Sequence, residues 1–379
     1  MSATQQSLSS QKRLIVKIGS ALLTTNQSSE IKHDWLEALA KDIANYRKKG
    51  LEVIIVSSGA VAIGKQGLGL TDRVLRLEEK QAAAASGQIG LYYAWQEALG
   101  SHGMPTAQIL LTPSDTEERR RHLNARNTIE TLLALGAIPV INENDTVATE
   151  EIRFGDNDRL AARVAQMIGA DVLVLLSDID GLYTCDPRDN NDAAFIPEVS
   201  EITPEIEAMA GHAGPGNSSG GMVTKIEAAK IATRAGCAVV IADGKEHNSL
   251  AAIDTGIRCT WFLATENHAT ARKRWIASAL APNGKLIIDD GAEKALGNGK
   301  SLLPAGVLAV SGTFNRGDAV IIENSANVRL GCGLIAYSAN DANLIAGHKT
   351  GEIETLLGYR GRDEMIHRGD LVIDGQRAK

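Results

Sequence analysis

The stretch Leu14-Ile15-Val16-Lys17-Ile18-Gly19-Ser20 is a short β-branched run that carries a lysine near its end and then meets a glycine turn. Runs of the same length and texture recur at Glu52–Val56, Thr106–Leu111, Ala137–Ile141, Asp171–Leu176 and Ala238–Ile241. Longer segments of helical periodicity lie between them. In one of these, Asp34–Lys49, the residues Leu36, Leu39, Ala40 and Ile43 fall on one face and Gly50 supplies a stop. This alternation, from about residue 13 to 262, predicts an α/β fold: an open, mainly parallel sheet sandwiched by helices.

At 379 residues the chain exceeds one ordinary core, and two domains are expected. From about Ala281 the texture changes to short alternating stretches, Lys285–Ile288, Val307–Val310, Ala319–Ile322 and Leu330–Tyr337, set between Gly, Asn and Asp turns. They read as a small, mostly antiparallel β-rich barrel. The expected division is a tail over 1–12, the α/β domain over 13–265, a linker over 266–280, the β-rich domain over 281–367 and a tail over 368–379.

Charged residues make up 22% and apolar ones 44%, a globular balance. The longest apolar runs, such as Val53–Val56 and Val172–Leu176, have strand length, so no membrane span is expected. The polar N-terminus lacks the apolar core of a secretory signal, and a cytoplasmic location is expected. Cys185, Cys237, Cys259 and Cys332 are scattered without metal spacing and read as free, buried thiols; no protein metal site is expected. A net charge of −7 argues against wholesale nucleic-acid binding.

In open parallel sheets, ligands bind beyond the carboxyl ends of the strands. The residues there are Gly19-Ser20, Ser57-Ser58-Gly59-Ala60, Asn142-Glu143-Asn144-Asp145 and Ser177-Asp178, all small or polar. Handling phosphate requires backbone N–H groups open to an anion, and a cation nearby. Lys17-Ile18-Gly19-Ser20 offers both, and so does Ser219-Gly220-Gly221-Met222-Val223-Thr224-Lys225 at the head of a predicted helix. The second is not a P-loop, because Met222 stands where that motif needs lysine, and the first strand is not followed by G-x-G-x-x-G. A glycine pair before a helix is by itself a turn, and a solvated Lys225 is the default reading. Asn142–Asp145 and Gly155-Asp156-Asn157-Asp158 could each be a turn with an N-cap. Two such clusters at strand ends instead offer carboxylates and amides that can hold ammonium and carboxylate groups.

Taken in order, Val16–Ser20, Ser57–Ala60, Asn142–Ala148, Phe154–Asp158 and Gly220–Lys225 resemble the glutamate-phosphorylating branch of the amino-acid kinase family. The resemblance runs from about Leu14 to the C-terminus, whose β-rich part resembles a PUA domain. It implies ATP-dependent phosphorylation of the γ-carboxylate of L-glutamate with Mg²⁺, as the first step of proline biosynthesis, with proline as inhibitor and a homo-oligomer, dimer or tetramer, as the assembly. Carried over by position, Lys17 and Lys225 contact the ATP phosphates and Asp158 orients them. Ser58, Asp145 and Asn157 bind glutamate, with Asn142 and Asp156 close by. Ser177, Asp178, Ser219, Gly220, Gly221, Met222, Val223 and Thr224 line the nucleotide pocket, and Asp115 and Glu151 are candidates for proline binding. Where the branch often has Thr, this chain has Ser57 and Ser177, and the hydroxyl is kept.

The chemistry suits these residue types. A glutamate side chain, with a reference pKa of about 4.3, is already a carboxylate nucleophile at neutral pH. No general base is needed, and two lysines, Mg²⁺ and helix N-terminal amides suffice to bring the anions together. Related kinases acting on acetylglutamate, aspartate or a nucleotide monophosphate are alternatives, and so is an RNA-binding role for the PUA-like part. That part holds 11 Lys/Arg against 12 Asp/Glu between Ile276 and Lys379, not the basic balance expected of an RNA footprint.

Overall fold

A computed structural model describes residues 7–25, 30–71, 73–147, 157–190, 192–211, 221–279 and 282–374. The chain divides into two compact units, Met1–His268 and Ala269–Lys379.

The first unit opens with β1 (Arg13–Ile18), α1 (Ser20–Leu23), α2 (His33–Lys48), β2 (Glu52–Ser57), α3 (Ala60–Gly67) and α4 (Leu77–Gly100). It continues through β3 (Thr106–Leu111), α5 (Pro113–Glu117), α6 (Arg119–Ala134), β4 (Ile138–Glu143), α7 (Asn157–Ile168) and β5 (Val172–Ser177). A small hairpin of β6 (Leu182–Tyr183) and β7 (Phe195–Ile196) follows, then β8 (Glu198–Val199), α8 (Pro204–Met209), α9 (Met222–Arg234), β9 (Ala238–Asp243), α10 (Ser249–Asp254) and β10 (Cys259–Phe262).

Eight strands form one sheet in the order β3-β4-β2-β1-β5-β9-β10-β8. From β3 to β9 every pairing is parallel, and β10 then runs antiparallel to β9. The central strands are buried on both faces, which is why they read as unbroken apolar runs. Strands β2, β4 and β5 extend one or two residues beyond their expected ends, so Ser57, Asn142, Glu143 and Ser177 are strand residues rather than loop residues.

Strand alternation gives each face its own core. Leu14, Val16, Val53, Ile55 and Val140 pack with α2 and α4, whereas Ile15, Ile54, Val56 and Ile141 pack with α6, α7 and α9. Lys17 shares the parity of Ile15, so it belongs to the face covered by α7 and α9.

In the second unit, α11 (His268–Ala279) leads to β11 (Gly284–Ile288), α12 (Asp290–Gly297), β12 (Val307–Gly312), β13 (Ala319–Asn324), β14 (Arg329–Leu334), α13 (Ala339–Ile345), α14 (Ile353–Leu357) and β15 (Leu371–Ile373). The sheet order is β12-β11-β13-β14-β15, and only the β11–β13 pairing is parallel. Leu286, Ile288, Val320, Ile322 and Ile335 form the heart of its core. Arg272 of α11 is ion-paired with Asp370 just before β15.

No helix among the described residues is long and apolar enough to cross a membrane. The four cysteines are free; Cys237 and Cys332 are buried as expected, but Cys185 and Cys259 are only half-buried.

Candidate active site

Strand β1 has β2 on one side and β5 on the other, so the chain's path through the sheet reverses direction there, and in open α/β sheets ligands bind beyond the carboxyl ends of the strands at such a point. Two clusters of polar side chains converge at this point, and consecutive residues at the start of α7 serve one each.

The first cluster is built around Asp158. Lys17 Nζ lies 2.6 Å from Asp158 Oδ1, and Lys225 Nζ lies 3.3 Å from Asp158 Oδ2. Thr224 Oγ1 donates to the same Oδ2 at 2.8 Å. All three charged groups are buried, with exposures of 6% for Lys17, 1% for Asp158 and 5% for Lys225. Burial alone would raise the Asp158 pKa, but the two ammonium groups and the hydrogen bonds outweigh it and hold the carboxyl well below the usual range. The solvated default for Lys225 is therefore overturned: α9 carries it inward, where Asp158 compensates its charge. Gly221 caps α9 without a side-chain hydrogen bond. Among the described residues no side chain meets the first N–H groups of the helix, which begin beside Lys225.

The second cluster is built around Asn157. Its Nδ2 lies 2.8 Å from Ser58 Oγ, 2.9 Å from Asn142 Oδ1 and 3.3 Å from the Ser57 carbonyl. Ser58 is placed by the turn after β2, where Gly59 adopts φ +114°, a conformation that disfavours side chains. Asp145 follows β4 on a turn closed by the Val147 N–H on the Asn144 carbonyl at 3.2 Å. Burial, reinforced by the neighbouring Glu143, pushes the Asp145 pKa up to about 7. A cation placed beside it would reverse that shift. A cleft of about 410 Å³ opens here, lined by Gln88, Tyr92, Tyr93, Gln108, Glu143 and Asp145. It lies beside the second cluster and not over the lysines.

Ser177 ends β5 and Asp178 follows it, with Ser177 Oγ donating to Asp178 Oδ1 at 3.2 Å. Lys245 Nζ donates to the Asp178 carbonyl at 2.6 Å, which ties this corner to the end of β9. Asp156, Ser219 and Gly220 lie outside the described residues, as does Glu151, whereas Gly221, Met222 and Val223 stand at the head of α9. Asp115, within α5, accepts from the N–H and hydroxyl of the N-cap Thr112, both at 2.7 Å, and pairs with Arg121 at 3.2 Å.

Helix α4 brings in two residues that no motif flags. Trp95 Nε1 donates to Ser57 Oγ at 2.9 Å, and Gln88 Oε1 accepts from Asn142 Nδ2 at 2.7 Å.

Among the described residues no group of three or more His, Cys, Asp or Glu is placed to cage a metal. The carboxylate nearest the lysines, Asp158, is already engaged by them.

Residues 12–243 match the amino acid kinase family, and residues 284–357 match the PUA domain. The chain is 60% identical to a glutamate 5-kinase from Paramagnetospirillum magneticum, over 97% of this chain and 99% of that one. It is 58% identical to a glutamate 5-kinase from Agrobacterium fabrum, over 100% and 97% of the two chains. Among solved structures, a UMP kinase from Ureaplasma parvum aligns over 67% of this chain and 99% of its own with a TM-score of 0.47 and 18% identity.

Proposed function

The chain belongs to the amino acid kinase family, alongside its glutamate 5-kinases, and on that premise we propose that it transfers the γ-phosphoryl group of ATP to the γ-carboxylate of L-glutamate, the first step of proline biosynthesis. The observation that carries this reading is the pair of adjacent clusters: two buried lysines bridged by Asp158, and an amide and carboxylate group around Asn157 and Asp145 one residue away.

Lys17 and Lys225 neutralise charge on the transferring phosphoryl group, and Asp158 holds both ammonium groups in place. The head of α9, with Gly221, Met222, Val223 and Thr224, adds backbone donors, and Ser177 and Asp178 border the nucleotide on the β5 side. Mg²⁺, bound with the nucleotide, would supply further neutralisation of phosphate charge. Asp145 faces the free α-ammonium of glutamate, while Ser58 and Asn157 hold its polar groups, backed by Asn142. The nucleophile is already ionised, so a histidine-free site is sufficient.

Proline shares the ammonium and α-carboxylate of glutamate, and we place it as a competitor at Asp145 and Asn157. The form proposed is a cytoplasmic homo-oligomer. Ile89 and Tyr93, 76% and 63% exposed at the cleft, support a covered surface, and sedimentation velocity tests it. ADP release from purified enzyme tests the substrate. L-Glutamate should drive it, whereas N-acetylglutamate and L-aspartate should not; turnover with either of those instead would discard glutamate as the acceptor.

A further inference from the structure

The side chain of Gln88, half-buried on α4, ends a chain of amides that reaches the acceptor side of the site. Its Oε1 accepts from Asn142 Nδ2 at 2.7 Å. Asn142 Oδ1 accepts in turn from the backbone N–H of Glu143 and from Asn157 Nδ2, both at 2.9 Å. A backbone N–H can only donate, so Asn142 must show Glu143 its oxygen, and the Gln88 carbonyl takes up the amino group on the other side. Asn157 is then obliged to turn its own amino group toward Asn142 and Ser58. Its Oδ1 is left buried and without a donor among the described residues.

A buried acceptor left without a partner costs free energy that a bound donor recovers. Resting on the reading of this cluster as the glutamate subsite, we infer that Gln88 is a positioning residue: through Asn142 it holds Asn157 with Oδ1 free to accept from the amino group of the substrate.

Two further observations fix Gln88 in this role. It lines the same cleft as Glu143 and Asp145. The residue before it, Gly87, sits so close to α3 that an added Cβ would lie 2.0 Å from the Ala60 carbonyl. Helix α4 is thus locked against the segment that follows Ser58, and the Gln88 side chain starts from a fixed base.

The test is steady-state kinetics of the full-length enzyme with both substrates varied. Gln88→Leu should raise the KM for glutamate about tenfold, the scale of one lost hydrogen bond that strands its partner, and leave the KM for ATP within about twofold. Gln88→Glu keeps an acceptor oxygen and should stay within about threefold of wild type. In an Asn142→Ala background, Gln88→Leu should add less than about twofold, because the mediator is already gone. Gln88→Met, nearly isosteric, supplies the same readout if Gln88→Leu does not fold. An unchanged glutamate KM, a parallel rise in both KM values, or a full effect persisting over Asn142→Ala would overturn the inference. The wild-type control separates it from the reading beneath it: wild type that ignores glutamate overturns both, whereas wild type that uses glutamate with an unaffected Gln88→Leu overturns only this one.

Discussion

Lys17 Nζ, from β1, stands 2.6 Å from Asp158 Oδ1, at the start of α7, and the other oxygen of that carboxylate reaches Lys225 of α9 at 3.3 Å. One carboxylate thus holds two buried ammonium groups from opposite ends of the unit's sequence. The trio keeps one uncompensated positive charge, which a phosphate group can neutralise when the nucleotide binds. Buried charge is costly unless it is paired, so the same contact that orders the lysines also offsets part of the cost of burying them.

Asp158→Asn should therefore cost both activity and stability. Removing one partner of a buried charge set costs about 3–5 kcal/mol, so urea unfolding should show a loss on that scale alongside a fall in kcat. The sign of the pH effect follows from the depressed pKa of Asp158. Its stabilisation is present above the ordinary aspartate range and disappears as pH falls through the folded-state pKa. Wild type and Asp158→Asn should converge in acid, and a stability gap that stays constant into acid would contradict this.

Asp145 predicts the opposite sign. Its pKa is pushed up to about 7, so below that pH it carries a proton, which a glutamate ammonium bound as proposed would have to displace. The KM for glutamate should rise as pH falls below 7, approaching about tenfold per unit, and should level off above it. In the free protein this group's contribution to stability is full below the unfolded-state pKa and is lost as pH rises through about 7. Glutamate should consequently raise the melting temperature more at pH 8 than at pH 6. Asp145→Asn should flatten both dependences, and an unaltered pH profile in that variant would refute the assignment.

Gly87→Ala tests how closely α4 backs the site. The new methyl would meet the Ala60 carbonyl at 2.0 Å, and an added carbon at Gly64 would meet the Ala83 carbonyl at 1.8 Å. Overpacking of this kind costs about 1–3 kcal/mol. Because Ala60 follows Ser58 and Gly59, the displacement should also raise the KM for glutamate more than that for ATP. A lowered melting point with both KM values intact would show that the helix contact serves stability alone.

The parallel core was legible because β1, β2, β4, β5 and β9 are buried on both faces and so spell continuous apolar runs. Lys17 was legible as a charged residue near a strand end, and α2 as a periodic helix with a glycine stop. Strand β10 was not, since it is only four residues long, between β9 and the two-residue β8, and Cys-Thr-Trp-Phe is too short a run to announce a strand. The Asn142 and Asn157 side chains read equally well as turn residues, and only their burial, at 4% and 3%, decides between the two readings. The contributions of Gln88 and Trp95 were invisible for a different reason. Each acts through one hydrogen bond to a residue distant in sequence, and an Ala- and Gly-rich helix gives no pattern that marks those two positions.

The central claim is acyl-phosphate formation driven by the two lysines, and trapping with hydroxylamine measures it directly. With ATP, Mg²⁺ and L-glutamate the enzyme should yield γ-glutamyl hydroxamate, while Lys225→Ala and Lys17→Ala should lower the yield by at least about two orders of magnitude, as loss of a charge-stabilising donor does. Glutamate hydroxamate formed at the wild-type rate by Lys225→Ala, or no hydroxamate from the wild type under any of these conditions, would contradict the account.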